Sequence, residues 1–113
     1  MVSHAEWKRS RDRDAARGVA ESPEKAKRRE EFDLAWDLGQ AIHDQRTALG
    51  LSQTELARRA GMTQPQLSKL ELGGTMPTLP LLARLAQAMG CALRLELVGD
   101  TSTVTFSTIT PAA

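Results

Sequence analysis

Residues 51–71, LSQTELARRAGMTQPQLSKLE, constrain the fold of this 113-residue chain more than any other stretch. Ser52 can cap a helix start, and Glu55 three residues later completes a capping box. Leu56, Ala57 and Ala60 then repeat at helical spacing. Gly61 can take the left-handed conformation that ends a helix and redirects the chain. Thr63 is a second N-cap, and Pro65 falls in the turn that follows, where a missing N–H costs little. Leu67 and Leu70 face inward, which leaves Gln64, Gln66, Ser68 and Lys69 facing out. The pattern predicts helix, sharp turn, helix.

Two short helices joined in this way have the form whose second helix enters the DNA major groove. The outward side chains suit that task. Gln can pair bidentately with adenine, Lys can reach guanine or a phosphate, and Ser and Thr can bond a phosphate or a base edge. The candidate DNA-binding residues are therefore Gln53, Thr63, Gln64, Gln66, Ser68, Lys69 and Thr75. Gln64 and Gln66 are assigned to bases, Lys69 to a base or phosphate, and Gln53 and Thr63 mainly to the backbone. The plainer alternative is a helical hairpin with an ordinary polar face. Caps, turn glycine and inward apolar residues that agree over the whole window weigh against it.

The window resembles the Xre-type helix-turn-helix regulators, a family that includes lambdoid phage repressors and many antitoxins. The matching residues are Leu51-Ser52-Gln53, Glu55-Leu56-Ala57, Gly61, Leu67-Ser68, Leu70-Glu71 and Gly73. The likeness extends over residues 38–90, under half of the chain. It implies a mainly α fold: an Xre-type, lambda-repressor-like helix-turn-helix bundle that binds operator DNA. In the family the loop at Thr75-Met76-Pro77 lies near the DNA backbone.

Composition bounds the rest. Leu and Ala supply most of the apolar content and aromatics make up only 4%, so the core is aliphatic and helical. Net charge is +1, which gives no general basic field, so DNA binding has to rest on a local face. A single cysteine, Cys91, allows no internal disulfide, and two distant histidines, His4 and His43, do not make a zinc site. The charged N-terminus is unlike a signal peptide, and no apolar run is long enough to span a bilayer. A cytoplasmic protein without cofactor or membrane attachment is expected. No nucleophile motif, metal cluster or phosphate-cradling glycine loop supports an enzyme.

Residues 1–22 form a charged arm in which Trp7 is the only large apolar residue. Ser3 could cap a helix ending near Gly18, but its apolar stripe is too narrow to dock on a core. Three readings stand: a solvated arm, a DNA-backbone arm, or a segment that orders on a protein partner through Trp7, Arg9 and Arg13. Ser22-Pro23-Glu24 is a strong helix start. A long helix is expected from Pro23 to Leu49, stopped by Gly50, with a break near Arg29 to Phe32 as an alternative. Its later apolar stripe passes through Phe32, Ala35, Trp36, Gly39 and Ile42. Arg46 follows on the same inward face, where a buried guanidinium needs a carboxylate. Glu71, on the inner side of the second short helix, is the natural partner, and the resemblance supports a structural ion pair at these positions. Thr78 caps a last helix, buried through Leu81, Leu82, Leu85, Ala86 and Met89 and ended by Gly90. The helix-turn-helix domain is thus assigned to residues 23–90.

Residues 91–113 depart from the phage-repressor pattern, where a further helix is usual. Leu93, Leu95 and Leu97 alternate with Arg94 and Glu96, a strand period. Gly99-Asp100 can turn the chain, and a second run holds Val104 and Phe106 two apart. A lone hairpin is marginal and has open edges. Pairing with the same strands of a second copy would remedy both, making Leu93, Leu95, Leu97, Val104 and Phe106 a dimer interface. A hairpin folded back on its own domain is the alternative. Arm, core and terminal strands together resemble HigA- and HipB-type antitoxins, in which terminal strands help form a dimer and an appendage engages a toxin. The leading expectation is therefore a dimeric, autoregulating repressor that is the antitoxin of a toxin–antitoxin pair. The alternatives are a stand-alone regulator and a binding adaptor that keeps the fold but not DNA recognition.

Overall fold

A computed structural model describes residues 22–109 of the chain, the side chain of Phe32 excepted. Trp7, Arg9 and Arg13 lie outside the described residues. By its contacts the chain divides into residues 1–30 and residues 31–113. Among the described residues four helices and one hairpin follow one another: α1 (Pro23–Ala48), α2 (Gln53–Ala60), α3 (Gln64–Glu71), α4 (Leu79–Met89), β1 (Cys91–Val98) and β2 (Thr101–Thr108).

Each helix starts where a hydroxyl can accept from an orphan N–H. Ser22 Oγ accepts from Lys25 N at 3.1 Å, Ser52 Oγ from Glu55 N at 3.1 Å, and Thr78 Oγ1 from Leu81 N at 3.2 Å. Helix α1 runs without the alternative break near Arg29 and ends at Ala48, one residue before the expected limit. The capping box expected at Ser52 does not close. The Glu55 carboxylate turns instead to Arg58 Nη2 at 2.6 Å and Arg59 Nε at 2.9 Å, one turn ahead. Two guanidinium groups on the same helix face outcompete a single backbone N–H for that carboxylate. They hold the Glu55 carboxyl down at about 2, through the bonds from Arg58 and then Arg59.

The core gathers Leu38 and Ile42 of α1, Leu56, Ala57 and Ala60 of α2, Leu67 and Leu70 of α3, and Leu82, Leu85 and Met89 of α4. Cys91 closes it from the start of β1, and burial pushes its thiol up from the usual range. Leu81, expected within the core, packs only partly against it. Strand β1 pairs antiparallel with β2 in one chain, with Leu93 opposite Phe106 and Leu95 opposite Val104. Gly99, at φ +59, supplies the positive φ that a two-residue hairpin turn needs. The second strand stops at Thr108.

The hairpin folds back on its own domain. Leu93, Val104 and Phe106 pack against the helical core, and Ser102 Oγ donates to Asp37 Oδ2 of α1 at 2.7 Å. This packing engages three of the five candidate interface residues and leaves Leu95 and Leu97 exposed, as are Val98 and Ile109.

Candidate nucleic-acid interface

Helix α3 is only eight residues long, too short to be stable by itself. Its position comes from what holds its two ends and its inner side. At the start, Thr63 and Gln66 form a reciprocal capping box: Thr63 Oγ1 accepts from Gln66 N at 3.3 Å, and Gln66 Oε1 accepts from Thr63 N at 2.9 Å. On the inner side Leu67 and Leu70 are buried in the core. At the far end Gln40 Nε2 of α1 donates to the Glu71 carbonyl at 3.0 Å, satisfying an acceptor that the helix terminus leaves open.

The Glu71 side chain is buried among donors. Arg46 Nε donates to its Oε2 at 2.8 Å, and Arg46 Nη2 to its Oε1 at 2.9 Å. Arg46 Nη1 also donates to the Leu51 carbonyl at 2.8 Å. His43 Nδ1 lies 2.8 Å from Glu71 Oε1, and Gln53 Nε2 donates to the same oxygen at 3.2 Å. Burial pushes the Glu71 carboxyl up, but the bonds from Arg46, His43 and Gln53 and the guanidinium charge outweigh it, so it titrates below the ordinary range. The bond to Glu71 likewise raises the Arg46 guanidinium. One carboxylate therefore joins α1, α2 and α3.

From this anchor the polar side chains reach outward. Gln53, half-buried at the start of α2, accepts from Gln64 Nε2 at 2.8 Å, so the first residues of α2 and α3 are tied together. Gln64, Gln66 and Lys69 are exposed, as are Thr63 and Thr75, while Ser68 is half-buried. The capping role of Thr63 occupies its oxygen but leaves its hydroxyl proton free to donate. Gln66 is committed likewise: its Oε1 already accepts from Thr63, which leaves its amide N–H groups as the outward donors.

Arg84 of α4, to which the sequence analysis gives no role, stands beside this edge. It lines an open groove with Gln66, Lys69 and Thr75, and its side chain is exposed. The signal was present as the one charged residue in LPLLARLAQAM. No group of three or more side chains able to hold a metal ion occurs among the described residues, and no described helix is long and apolar enough to cross a membrane.

The helix-turn-helix family HTH_3 matches residues 42–95, the span that carries the network and the polar edge. An uncharacterized HTH-type transcriptional regulator of Methanothermobacter thermautotrophicus is 45% identical over 49 residues, which are 43% of this chain and 71% of that protein. The uncharacterized HTH-type transcriptional regulator y4dJ of Sinorhizobium fredii is 44% identical over 59 residues, 52% of this chain and 75% of that one. Among solved structures, the clp gene regulator ClgR from C. glutamicum superposes with a TM-score of 0.50 at 33% identity, covering 50% of this chain and 74% of that chain. With these relatives and this fold, the chain belongs to the helix-turn-helix family of transcriptional regulators.

Proposed function

We propose that the chain is a sequence-specific DNA-binding repressor that works as a homodimer. The observation that carries this reading is the exposed edge of α3: Gln64, Gln66 and Lys69 face outward on a helix whose inner side is locked by Leu67, Leu70 and Glu71. Gln64 and Gln66 contact bases in the major groove, and Lys69 contacts a base or phosphate. Thr63, Ser68, Thr75 and the remaining N–H of Gln53 bond the DNA backbone. A single unit of this size reads few base pairs, so two copies are set about one DNA turn apart on a two-fold operator.

The test is binding to the DNA upstream of the chain's own reading frame, measured by fluorescence anisotropy over a range of salt. A specific complex is expected, and its affinity should fall as salt rises. Combined Gln64→Ala and Gln66→Ala should remove the preference for the operator. Unchanged operator preference in that double variant would overturn the base assignment.

The more particular role is that of an antitoxin that represses its own operon and binds a cognate toxin protein through the arm at residues 1–22, with Trp7, Arg9 and Arg13 as contacts. What supports it is the layout, an arm before the core and a hairpin after it, which resembles HigA- and HipB-type antitoxins. Co-purification with the product of a neighbouring short reading frame tests it. A chain starting at Pro23 should bind the operator and fail to neutralise that toxin. Neutralisation without the arm would remove the arm from the account, and the absence of any co-purifying partner would leave a stand-alone regulator.

A further inference from the structure

We propose that Gly74 is a positioning residue. By leaving room for the Lys69 stem, it commits the Lys69 ammonium to a DNA phosphate beside Arg84 and withdraws it from base reading. This rests on the reading of α3 given above and decides between the two contacts left open there for Lys69.

Two glycines stand between α3 and α4, and they are glycine for different reasons. Gly73 holds φ +74, in the left-handed region that side chains disfavour. Gly74 lies outside that region, so its backbone suits any residue. What keeps it bare is space. A methyl group built there would stand 2.9 Å from Lys69 Cγ, 3.2 Å from the Lys69 carbonyl oxygen and 3.5 Å from Lys69 Cε. The carbonyl is not free to draw back, because it accepts from Gly74 N at 2.9 Å. Cγ is not the loose tip of the side chain either. Moving it takes a new rotamer at the root of the stem.

Both Cγ and Cε lie close to Gly74, so the stem runs across it. Helical side chains ordinarily lean toward the N-terminus. Lys69 runs the other way, past the end of α3, and lines a groove with Gln66, Thr75 and Arg84. Gln64, at the opposite end of α3, does not line that groove. No carboxylate lines it, and among the described residues neither Lys69 nor Arg84 has an acidic partner. Two cations on one groove repel each other until an anion comes between them. A phosphodiester carries that charge, whereas a base edge is neutral. The Arg84 fork can hold two phosphate oxygens, Lys69 adds a point charge, and the Thr75 hydroxyl can donate. Such contacts fix where a protein sits on the duplex and read no sequence. Base choice along α3 then falls to the side chains ahead of Lys69.

The experiment compares Lys69→Ala, Gly74→Ala and the double variant over a range of salt. The targets are the operator, every single-base-pair change of one half-site, and unrelated DNA. Lys69→Ala should weaken all of them by the same factor, leave the order of bases unchanged, and make the slope of log affinity against log salt shallower by about 1. Gly74→Ala should give that same pattern, because it turns the stem out of the groove. The double variant should show the slope of Lys69→Ala alone. Melting temperature should fall in Gly74→Ala and recover in part in the double, where no Cγ remains to meet the new methyl group. If Gly74→Ala does not fold, the double should, and a double that also fails would show that Gly74 does not make room for Lys69. In the unaltered free protein, nuclear Overhauser effects should join the Gly74 α protons to the γ and ε protons of Lys69, and their absence would overturn the placement of the stem. A changed order of bases at one pair in Lys69→Ala would make Lys69 a base contact. A full salt slope in Gly74→Ala would remove Gly74 from the account. Either result overturns this proposal and leaves operator recognition by α3 intact. If the unaltered protein shows no preference for the operator over unrelated DNA, sequence-specific repression fails instead, and the salt slopes on unrelated DNA still judge Lys69 and Gly74.

Discussion

Gly39 of α1 lies directly against the Leu70 carbonyl at the end of α3. A methyl group built on Gly39 would overlap that oxygen and come within 2.9 Å of the Glu71 carbonyl as well. Both obstacles are backbone atoms, which cannot rotate out of the way as a side-chain tip can. Gly39 is thus what lets α1 approach close enough for Gln40 and Arg46 to reach Glu71. Gly39→Ala should force α3 away from α1, at a cost of about 1–3 kcal/mol for overpacking plus the strained bonds to Glu71. Thermal melts should show the loss, and operator affinity should fall further than the stability change explains, because α3 is displaced. A variant of unchanged melting temperature would show that the two helices separate freely.

Arg46 and Glu71 should behave as one unit. Removing either partner leaves a buried charge or a buried donor set without its counterpart, on the order of 3–5 kcal/mol. The cycle of Arg46→Ala, Glu71→Ala and the double variant should show strong coupling, and additive losses would dismiss it. The pair also fixes an acid limit. The Glu71 carboxyl titrates lower in the folded chain than in the unfolded one. Its contribution is therefore whole above the ordinary glutamate value of about 4.3 and is lost as pH falls toward and through the folded value. Denaturant midpoints between pH 7 and pH 2 should decline in that window, and Glu71→Gln should flatten the decline. Glu55 titrates in the same direction, but it is solvated and its share is small.

Much of this was legible in the sequence because caps, turn glycines and inward leucines are local signals that agree. Ser52, Gly61, Thr63, Thr78 and Gly90 each stand where a helix starts or stops. The Arg46–Glu71 contact was legible for a different reason: a cation on an apolar face demands a carboxylate. What stayed hidden depends on distances between elements. Gly39 reads as one more small residue until the Leu70 carbonyl is placed against it. Glu55 has two attractive destinations, and only geometry chooses between Ser52 N–H and the two arginines. Gln53 bonds both Glu71 and Gln64, at the two ends of α3, and no spacing rule links residue 53 to either.

Arg84 tests whether the DNA-facing surface reaches beyond α3 to α4. It shares its groove with Gln66, Lys69 and Thr75. A phosphate contact is sequence-blind, so Arg84→Ala should weaken operator and unrelated DNA by the same factor. The slope of log affinity against log salt should become shallower by about 1, the release expected for one phosphate contact. A changed base preference would make Arg84 a base contact, and an unchanged salt slope would place it off the DNA.

The dimer prediction rests on what the hairpin leaves uncovered. Leu93, Val104 and Phe106 are engaged with the protein's own core, and the polar edge of α3 is assigned to DNA. Leu95, Leu97 and Val98 remain on β1, 37%, 61% and 63% exposed, and Ile109 follows β2 at 55%. Among the described residues β1 pairs only with β2, and its other edge has no strand partner there. A second copy related by a two-fold axis could add its own β1 there, satisfying both edges and burying the exposed leucines together. That contact would also set the separation of the two α3 helices, about 34 Å for one DNA turn. Leu95→Lys puts two charges across such an axis while leaving Leu93, Val104 and Phe106 to hold the hairpin on the core. The variant should stay folded by circular dichroism, sediment as a monomer, and lose most operator affinity while keeping weak, salt-sensitive binding to any DNA. If Leu95→Lys still sediments as a dimer, the two copies meet through a surface other than β1.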